Sequence, residues 1–361
     1  MPHSTKSVVI SGYYGFDNLG DEAILEQLCK ELRQINPSIK ICVLSQNPTS
    51  TSQKYDVESI SRWNTAQIYQ SLSDADLFIS GGGGLFQDSS SIKSVIYYAF
   101  LFFLARIKRV PIFVYAQGIG PLKSSFSRFL TKASMTLAAC ISVRDQKSVA
   151  ILKNWNIDSH LTADPVWGLN KDSVDSDTNN GAHNNLRIGI SLRQCDALND
   201  SWLDSITTTL QKLLPKDCLI IPLILQESLD KPVIESVVKK LDNVNFEQIN
   251  LKPDDLPSKW MNAIAGLDLV IAMRLHALIM ALKAGIASLA LSYDPKVSNV
   301  AIDFGQPYID MLDPGAKSLF EARLTELLKD KNELSKRARK TASDKENEAR
   351  QNKDLLAKFL R

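Results

Sequence analysis

Short β-like runs alternate with helical patterns along almost the whole of this chain. That alternation constrains the fold most, because strands separated by helices run the same way and build parallel sheets covered by helices. In the first half the β-like runs lie at residues 7–11, 40–44, 76–80, 111–116 and 140–144. Helical patterns fill the gaps, as at 21–35 and 123–138. In the second half the runs lie at 186–192, 218–225, 245–247, 269–272 and 287–292, with helical patterns at 200–214, 231–241 and 275–284. Between the halves, residues 171–185 are rich in Asp, Asn and Ser and nearly free of large apolar side chains, which reads as an inter-domain linker.

With 361 residues the chain is long enough for two domains. The expectation is an α/β protein with two Rossmann-like domains, 1–170 and 186–316, facing a central cleft. Residues 317–361 are highly charged with intermittent Leu, Phe and Ala, and predict amphipathic C-terminal helices. The basic cluster at 336–340 reads as a solvated face, with contact to anionic lipid head groups as the alternative. Residues 94–105 are the most apolar stretch; they are too short to span a bilayer and predict a buried or partly interfacial helix. The N-terminus shows no secretory pattern, and five widely spaced cysteines fit free buried thiols, so a cytoplasmic location is expected. A net charge of +2 argues against a nucleic-acid binder.

In open α/β sheets, ligands bind beyond the carboxyl ends of the strands. The unusual motifs of this chain fall at such ends. A glycine-containing loop from Gly12 to Asp21 follows the first run, and four glycines, Gly81 to Gly84, follow the run at 76–80. Gln117-Gly118-Ile119-Gly120-Pro121 follows 111–116, and Arg144-Asp145 ends the next run. In the second half, Arg193 follows 186–192, Arg274 and His276 follow 269–272, and Tyr293-Asp294-Pro295-Lys296 follows 287–292. Glycine lets a ligand approach the backbone, and the helix behind it offers free N–H groups to an anion. The first loop does not space its glycines as a dinucleotide fingerprint, and no P-loop pattern occurs.

Of the four histidines, His3 is terminal, His183 lies in the linker and His160 opens a short strand. His276 stands apart, in the first turn of a helix two residues after Arg274. Such scattered histidines leave no metal site to expect. Arginine forks bind carboxylate or phosphate bidentately and lysine acts as a point charge, so Arg193, Arg274 and Lys296 point to a small anionic ligand. For each alone, a surface salt bridge is the plainer reading.

The segments GYYGFDNLGDEAIL (12–25), DLFISGGGGLFQD (76–88), QGIGP (117–121), MRLHALIMALKAG (273–285) and SYDPKV (292–297), with Arg144-Asp145 and Asp164-Pro165, resemble the polysaccharide pyruvyl transferases, most closely their bacterial cell-wall branch. The resemblance covers about residues 7–330. It implies a GT-B-like fold, phosphoenolpyruvate as donor, no cofactor and a lipid-linked or polymeric glycan acceptor, forming a 4,6-pyruvate ketal on an N-acetylmannosamine-type sugar. By that likeness Arg193, Arg274, Leu275, His276 and Lys296 hold the donor. Tyr14, Asn18, Asp21, Gly82, Gly83 and Gln117 face the acceptor. His276, Arg274 and Asp21 are the catalytic candidates, His276 as acid/base because imidazole titrates near neutrality. Asp21 could equally cap its helix. A lipid-linked acceptor would add peripheral contact at the inner face of the membrane.

Two rivals share the architecture. A GT-B glycosyltransferase would hold a nucleotide-sugar, with Asp303 or Asp310 on the ribose. A non-catalytic glycan-binding or scaffold protein could descend from the same fold, since fold does not settle function.

Overall fold

The structure is a computed structural model that describes residues 5–89, 91–170, 185–241, 245–249, 251 and 255–360. The expected linker therefore lies almost wholly outside the described residues, as do His3 and His183. The chain divides into two compact units. One is Met1–Leu169 with Lys345–Arg361, the other Asn170–Asp344.

The first unit contains β1 (Ser7–Ser11), α1 (Leu19–Ile35), β2 (Lys40–Ser45), α2 (Pro48–Tyr55), β3 (Glu58–Ser61), α3 (Thr65–Ser73), β4 (Leu77–Ser80) and β5 (Gly83–Phe86). There follow α4 (Ile92–Ile107), β6 (Ile112–Ile119), α5 (Ser125–Met135), β7 (Cys140–Val143), α6 (Gln146–Asn154) and β8 (His160–Leu161). The strands pair in parallel in the order β3-β2-β1-β4-β6-β7-β8, with β5 added beside β6. The order reverses between β1 and β4, the switch point at which such sheets open a crevice. One face of the sheet packs its apolar side chains against α3, α4, α5 and α6.

The second unit contains β9 (Arg187–Ser191), α7 (Asp200–Leu213), β10 (Leu219–Pro222), α8 (Glu227–Lys240), β11 (Asn245–Phe246), α9 (Pro257–Ala265) and β12 (Leu269–Ala272). It continues with α10 (Leu275–Lys283), β13 (Ala287–Ser292), α11 (Pro295–Asp303), β14 (Tyr308–Asp310) and α12 (Phe320–Lys329). Its parallel sheet has the order β11-β10-β9-β12-β13-β14, so its switch point lies between β9 and β12. Central strands on both sheets are nearly continuous aliphatic runs, as sheets covered on both faces require.

The tail forms one long helix after α12, α13 (Lys331–Leu360). The sequence pattern set the tail apart at 317, but its last turns join the first unit. There Asn352 is fully buried, accepting from the Thr162 hydroxyl at 2.9 Å and donating to the Ala163 carbonyl at 3.1 Å, and Phe359 meets Phe113 edge-on. In the basic cluster, Arg337 pairs with Glu333 and the stem of Arg339 lies against Gly285. All five cysteines are free; Cys29, Cys42 and Cys218 are buried, whereas Cys140 and Cys195 are only half-buried.

β3 and β14 lie outside the expected runs, and two other strands differ from the sequence pattern for a shared reason. Gln117-Gly118-Ile119 continues β6 rather than following it, and Gly83–Phe86 is itself a strand on β6. The cause is an irregularity in β6: its register with β7 shifts between Val114 and Gln117, and Ala116 between them has φ 46°. A slip of one residue sends the following side chains to the other face, so no alternation in sequence could mark it.

On α1, Glu31 is buried and accepts from Gln27 Nε2 and the Tyr115 hydroxyl, both at 2.8 Å. Burial pushes its carboxyl up from 4.5 to about 7, against the lowering effect of those two hydrogen bonds. The folded state thus keeps a proton that the unfolded chain loses from about pH 4.5, and stability falls as pH rises between the two values. The loss by pH 8 is about 3 kcal/mol. Glu31→Gln is expected to raise Tm at pH 8 and to flatten its dependence between pH 5 and 8, as thermal melts across that range would show. A variant no more stable than wild type at pH 8 would contradict this account.

Candidate active site

In the first unit, the loop after β1 turns back over its own switch point. Tyr14 is 1% exposed and its ring passes over Gly12 and Gly81, so a Cβ at either glycine would collide with it. Its hydroxyl has no hydrogen-bond partner among the described residues, and neither has Ser11 Oγ or Ser80 Oγ at the ends of β1 and β4. Buried polar atoms ordinarily find partners, so three orphans at one switch point mark a place built for something polar. The loop is held from below by Glu22, whose carboxylate accepts from Gly15 N at 2.8 Å and the Tyr55 hydroxyl at 2.6 Å.

Asn18 caps α1 by accepting from Gly20 N, and its amide donates to Asp21. Asp21 lies in the first turn of α1 and its Oδ1 faces Gly83, whose φ of 93° is a conformation that disfavours a side chain. Gln117 Nε2 donates to the Gly83 carbonyl at 2.9 Å. Asn18, Asp21, Gly83 and Gln117 are therefore neighbours. Tyr14, Gly82 and Gln117 are buried and serve as the frame of the tract, which leaves Asn18 and Asp21 as its more accessible polar groups.

Arg144 and Asp164, from two of the motifs, form a buried ion pair beside Gly118. Burial opposes the arginine charge, but the carboxylates of Asp164 and Asp145, with a contribution from Asp21, outweigh it and raise its pKa. Asp145 caps α6 through Ser148 N.

In the second unit, β9, β12 and β13 are adjacent strands, with Ser191, Ala272 and Ala290 in register. Arg193, Arg274 with His276, and Tyr293 with Lys296 therefore leave three neighbouring strand ends, and the first two flank the switch point. Arg193 Nη1 donates to the Tyr293 hydroxyl at 3.0 Å, across the end of β12. Arg274 is 7% exposed. Its Nε donates to Asp230 Oδ1 at 2.9 Å, and its Nη2 bonds both Asp230 and Gln226 Oε1, the latter at 3.1 Å. One edge of its fork is thus committed, in part the salt bridge that the plainer reading anticipates. Asp230 in turn accepts from Leu225 N and Gln226 N, both at 2.9 Å. Burial raises the Asp230 carboxyl pKa, with Arg274 opposing.

His276 and Leu275 open α10 and are half-buried. Asp294 caps α11 through Lys296 N, with Pro295 at the first helical position. Among the described residues no group of three His, Cys, Asp or Glu side chains gathers as a metal site requires. Sequence reasoning missed Asp230 and Gln226, which hold Arg274 in place and carry no motif, and it passed over Glu22, which lies within the first motif next to Asp21.

A profile of the polysaccharide pyruvyl transferase family matches residues 18–295. No curated protein matches the sequence. Solved structures share the fold at low identity. An Anabaena protein, Alr3699/HepE in complex with UDP and glucose, superposes with a TM-score of 0.63 at 14% identity, over 98% of this chain and 99% of that one. A glycosyltransferase from Rickettsia africae gives 0.64 at 11%, covering 99% and 100%. A putative UDP-N-acetylglucosamine 2-epimerase from Listeria monocytogenes gives 0.68 at 10%, covering 98% and 95%. These likenesses place both units in the two-domain Rossmann-like architecture of GT-B glycosyltransferases and epimerases.

Proposed function

This chain belongs to the polysaccharide pyruvyl transferase family and is a transferase; we propose that it moves the enolpyruvyl group of phosphoenolpyruvate onto a glycan sugar, closing a 4,6-pyruvate ketal. The observation that carries the reading is the cationic switch point of the second sheet, where Arg193 and Arg274 flank β9 and β12 with His276 and Lys296 beside them. Phosphoenolpyruvate carries a carboxylate and a phosphate close together, and such a ligand needs several fixed cations. Asp230 and Gln226 preset Arg274, so little ordering is left for the moment of binding.

In the proposed reaction His276 delivers a proton to the methylene carbon of phosphoenolpyruvate. The resulting oxocarbenium-like C2 accepts one sugar hydroxyl, inorganic phosphate leaves with the C2–O bond pair, and the second hydroxyl closes the ketal as its proton is lost. Arg193 and Arg274 stabilise the departing phosphate, with Lys296 close by. Asp21, with Asn18, orients or deprotonates an acceptor hydroxyl. The acceptor in this reading is a lipid-linked or polymeric glycan bearing an N-acetylmannosamine-type sugar, handled at the cytoplasmic face of the membrane.

A second reading has one observation in its favour, since a solved structure of this fold holds UDP and glucose. It would make the chain a nucleotide-sugar glycosyltransferase. Of the two carboxylates it could use, Asp310 Oδ1 already accepts from Leu312 N at 3.1 Å in a turn. Incubation with phosphoenolpyruvate and N-acetylmannosaminyl acceptors, followed by phosphate release, separates the two. Acceptor-dependent release is expected. Nucleotide-sugar turnover without any phosphate release from phosphoenolpyruvate would overturn the proposal.

A further inference from the structure

The near-neutral total charge conceals a strong local asymmetry. From residue 89 to residue 144 the sequence has eight Lys or Arg and no Asp or Glu. Among the described residues, only Arg144 of these eight is neutralised in a buried pair. Against a total of +2, the rest of the chain therefore carries −6.

The same segment holds an apolar face that stays largely exposed among the described residues. One side of α4 enters the core through Val95, Tyr98, Leu101, Phe102 and Ala105. The other side presents Ile92, Ile96, Phe100, Phe103 and Ile107, each between 36% and 67% exposed. At about 100° per residue these five fall within an arc of about 80°, a single stripe about 22 Å long. Lys93 and Arg106 lie just beyond its two edges, and both are exposed. The neighbouring helix α5 adds Phe126 and Phe129, 52% and 66% exposed, with Arg128 and Lys132 on its outer side. None of Lys93, Arg106, Arg128 and Lys132 makes an ion pair among the described residues.

We propose that the outer face of α4 and α5 docks on an anionic lipid bilayer, the phenylalanines and isoleucines entering the head-group boundary while the flanking cations meet lipid phosphates. An apolar stripe edged on both sides by cations, on a helix lying flat against its domain, is the pattern of interfacial rather than spanning helices. No helix among the described residues is long and apolar enough to cross a membrane. A second copy of the chain is the poorer occupant. A two-fold pairing sets a patch against itself, and this patch would meet its own cations with Asp88, already bonded to Lys123 N and Ser124 N, as the one acid at its border among the described residues. The inference deepens the proposed function, in which the acceptor is lipid-linked, and its location differs from the tail cluster at 336–340.

The test is flotation of the full-length protein with vesicles of phosphatidylcholine, alone or containing phosphatidylglycerol. Binding is expected only with the anionic lipid and should weaken with salt, because the Debye length shrinks to about 3 Å at 1 M. The double variant Phe100→Asp, Phe103→Asp should lose binding by about tenfold or more. Lys93→Glu with Arg106→Glu should lose most of the anionic preference, and Lys336→Glu with Arg337→Glu should bind as wild type does. Melting temperature checks that each variant is folded, and phosphate release with a soluble acceptor reports separately on the proposed activity. Absence of binding to anionic vesicles, or equal binding by the folded stripe variant, would overturn the proposal. So would a stripe variant that turns a dimer into a monomer in sedimentation without changing vesicle binding.

Discussion

Asp230→Ala is expected to destabilise the second unit by about 3–5 kcal/mol, because it strands the buried Arg274 guanidinium without its counter-charge. At the usual sensitivity of a unit this size, that lowers Tm by about 10 °C. The carboxylate has no exposed surface, and its loss also frees the N–H groups of Leu225 and Gln226. Activity should fall with it, since an unpinned Arg274 no longer meets the donor in a fixed geometry. A second substitution separates the two roles. Adding Arg274→Met removes the stranded charge, so the double variant should recover part of the lost Tm while remaining inactive. Recovered activity in the double variant would take Arg274 out of the donor site, and an unchanged Tm in Asp230→Ala would take Asp230 out of its support.

The fate of Asp230 also shows what could be read from the chain alone. Strand positions and the residues at their carboxyl ends follow from local pattern: an aliphatic run, then Gly or Arg within two residues of its end, then a helix. That is why Arg193, Arg274, His276 and the Asn18–Asp21 turn stand out in the sequence. Asp230, the support of Arg274, does not, because the two meet across 44 residues; Gln117 stands out in its own motif, but its pairing with Gly83 across 34 residues is marked by nothing local. The strand at Gly83–Phe86 was hidden for a related reason. Its pairing depends on a register shift in β6, whereas four glycines by themselves announce only a loop. On α4 the obstacle was the composition itself. A run apolar on every side has little periodicity, so the sequence announces burial but does not say which face stays outside.

His276→Gln is expected to lower kcat by about 10²–10⁴-fold, the range that a positioned general acid supplies. Glutamine keeps a polar side chain of similar size but does not exchange a proton near neutrality. His276 stands in the first turn of α10, and that helix is fixed by Ala277 to Leu282, all buried, so Tm should stay close to that of wild type. The pH–rate profile is the more specific readout. The variant should lose the pH limb of kcat that the acid supplies while retaining donor affinity. A role limited to holding the donor predicts the opposite division, with KM for phosphoenolpyruvate rising and the pH limb intact. Exchange of deuterium from solvent into the methyl group of the ketal reads the proton transfer directly. The wild-type product should carry one deuteron per ketal in heavy water, because the methylene carbon gains its third hydrogen from the acid. A His276→Gln enzyme with unchanged kcat and an unchanged profile would move the proton donor elsewhere at this switch point, Lys296 and Tyr293 being titratable alternatives on the neighbouring strand end.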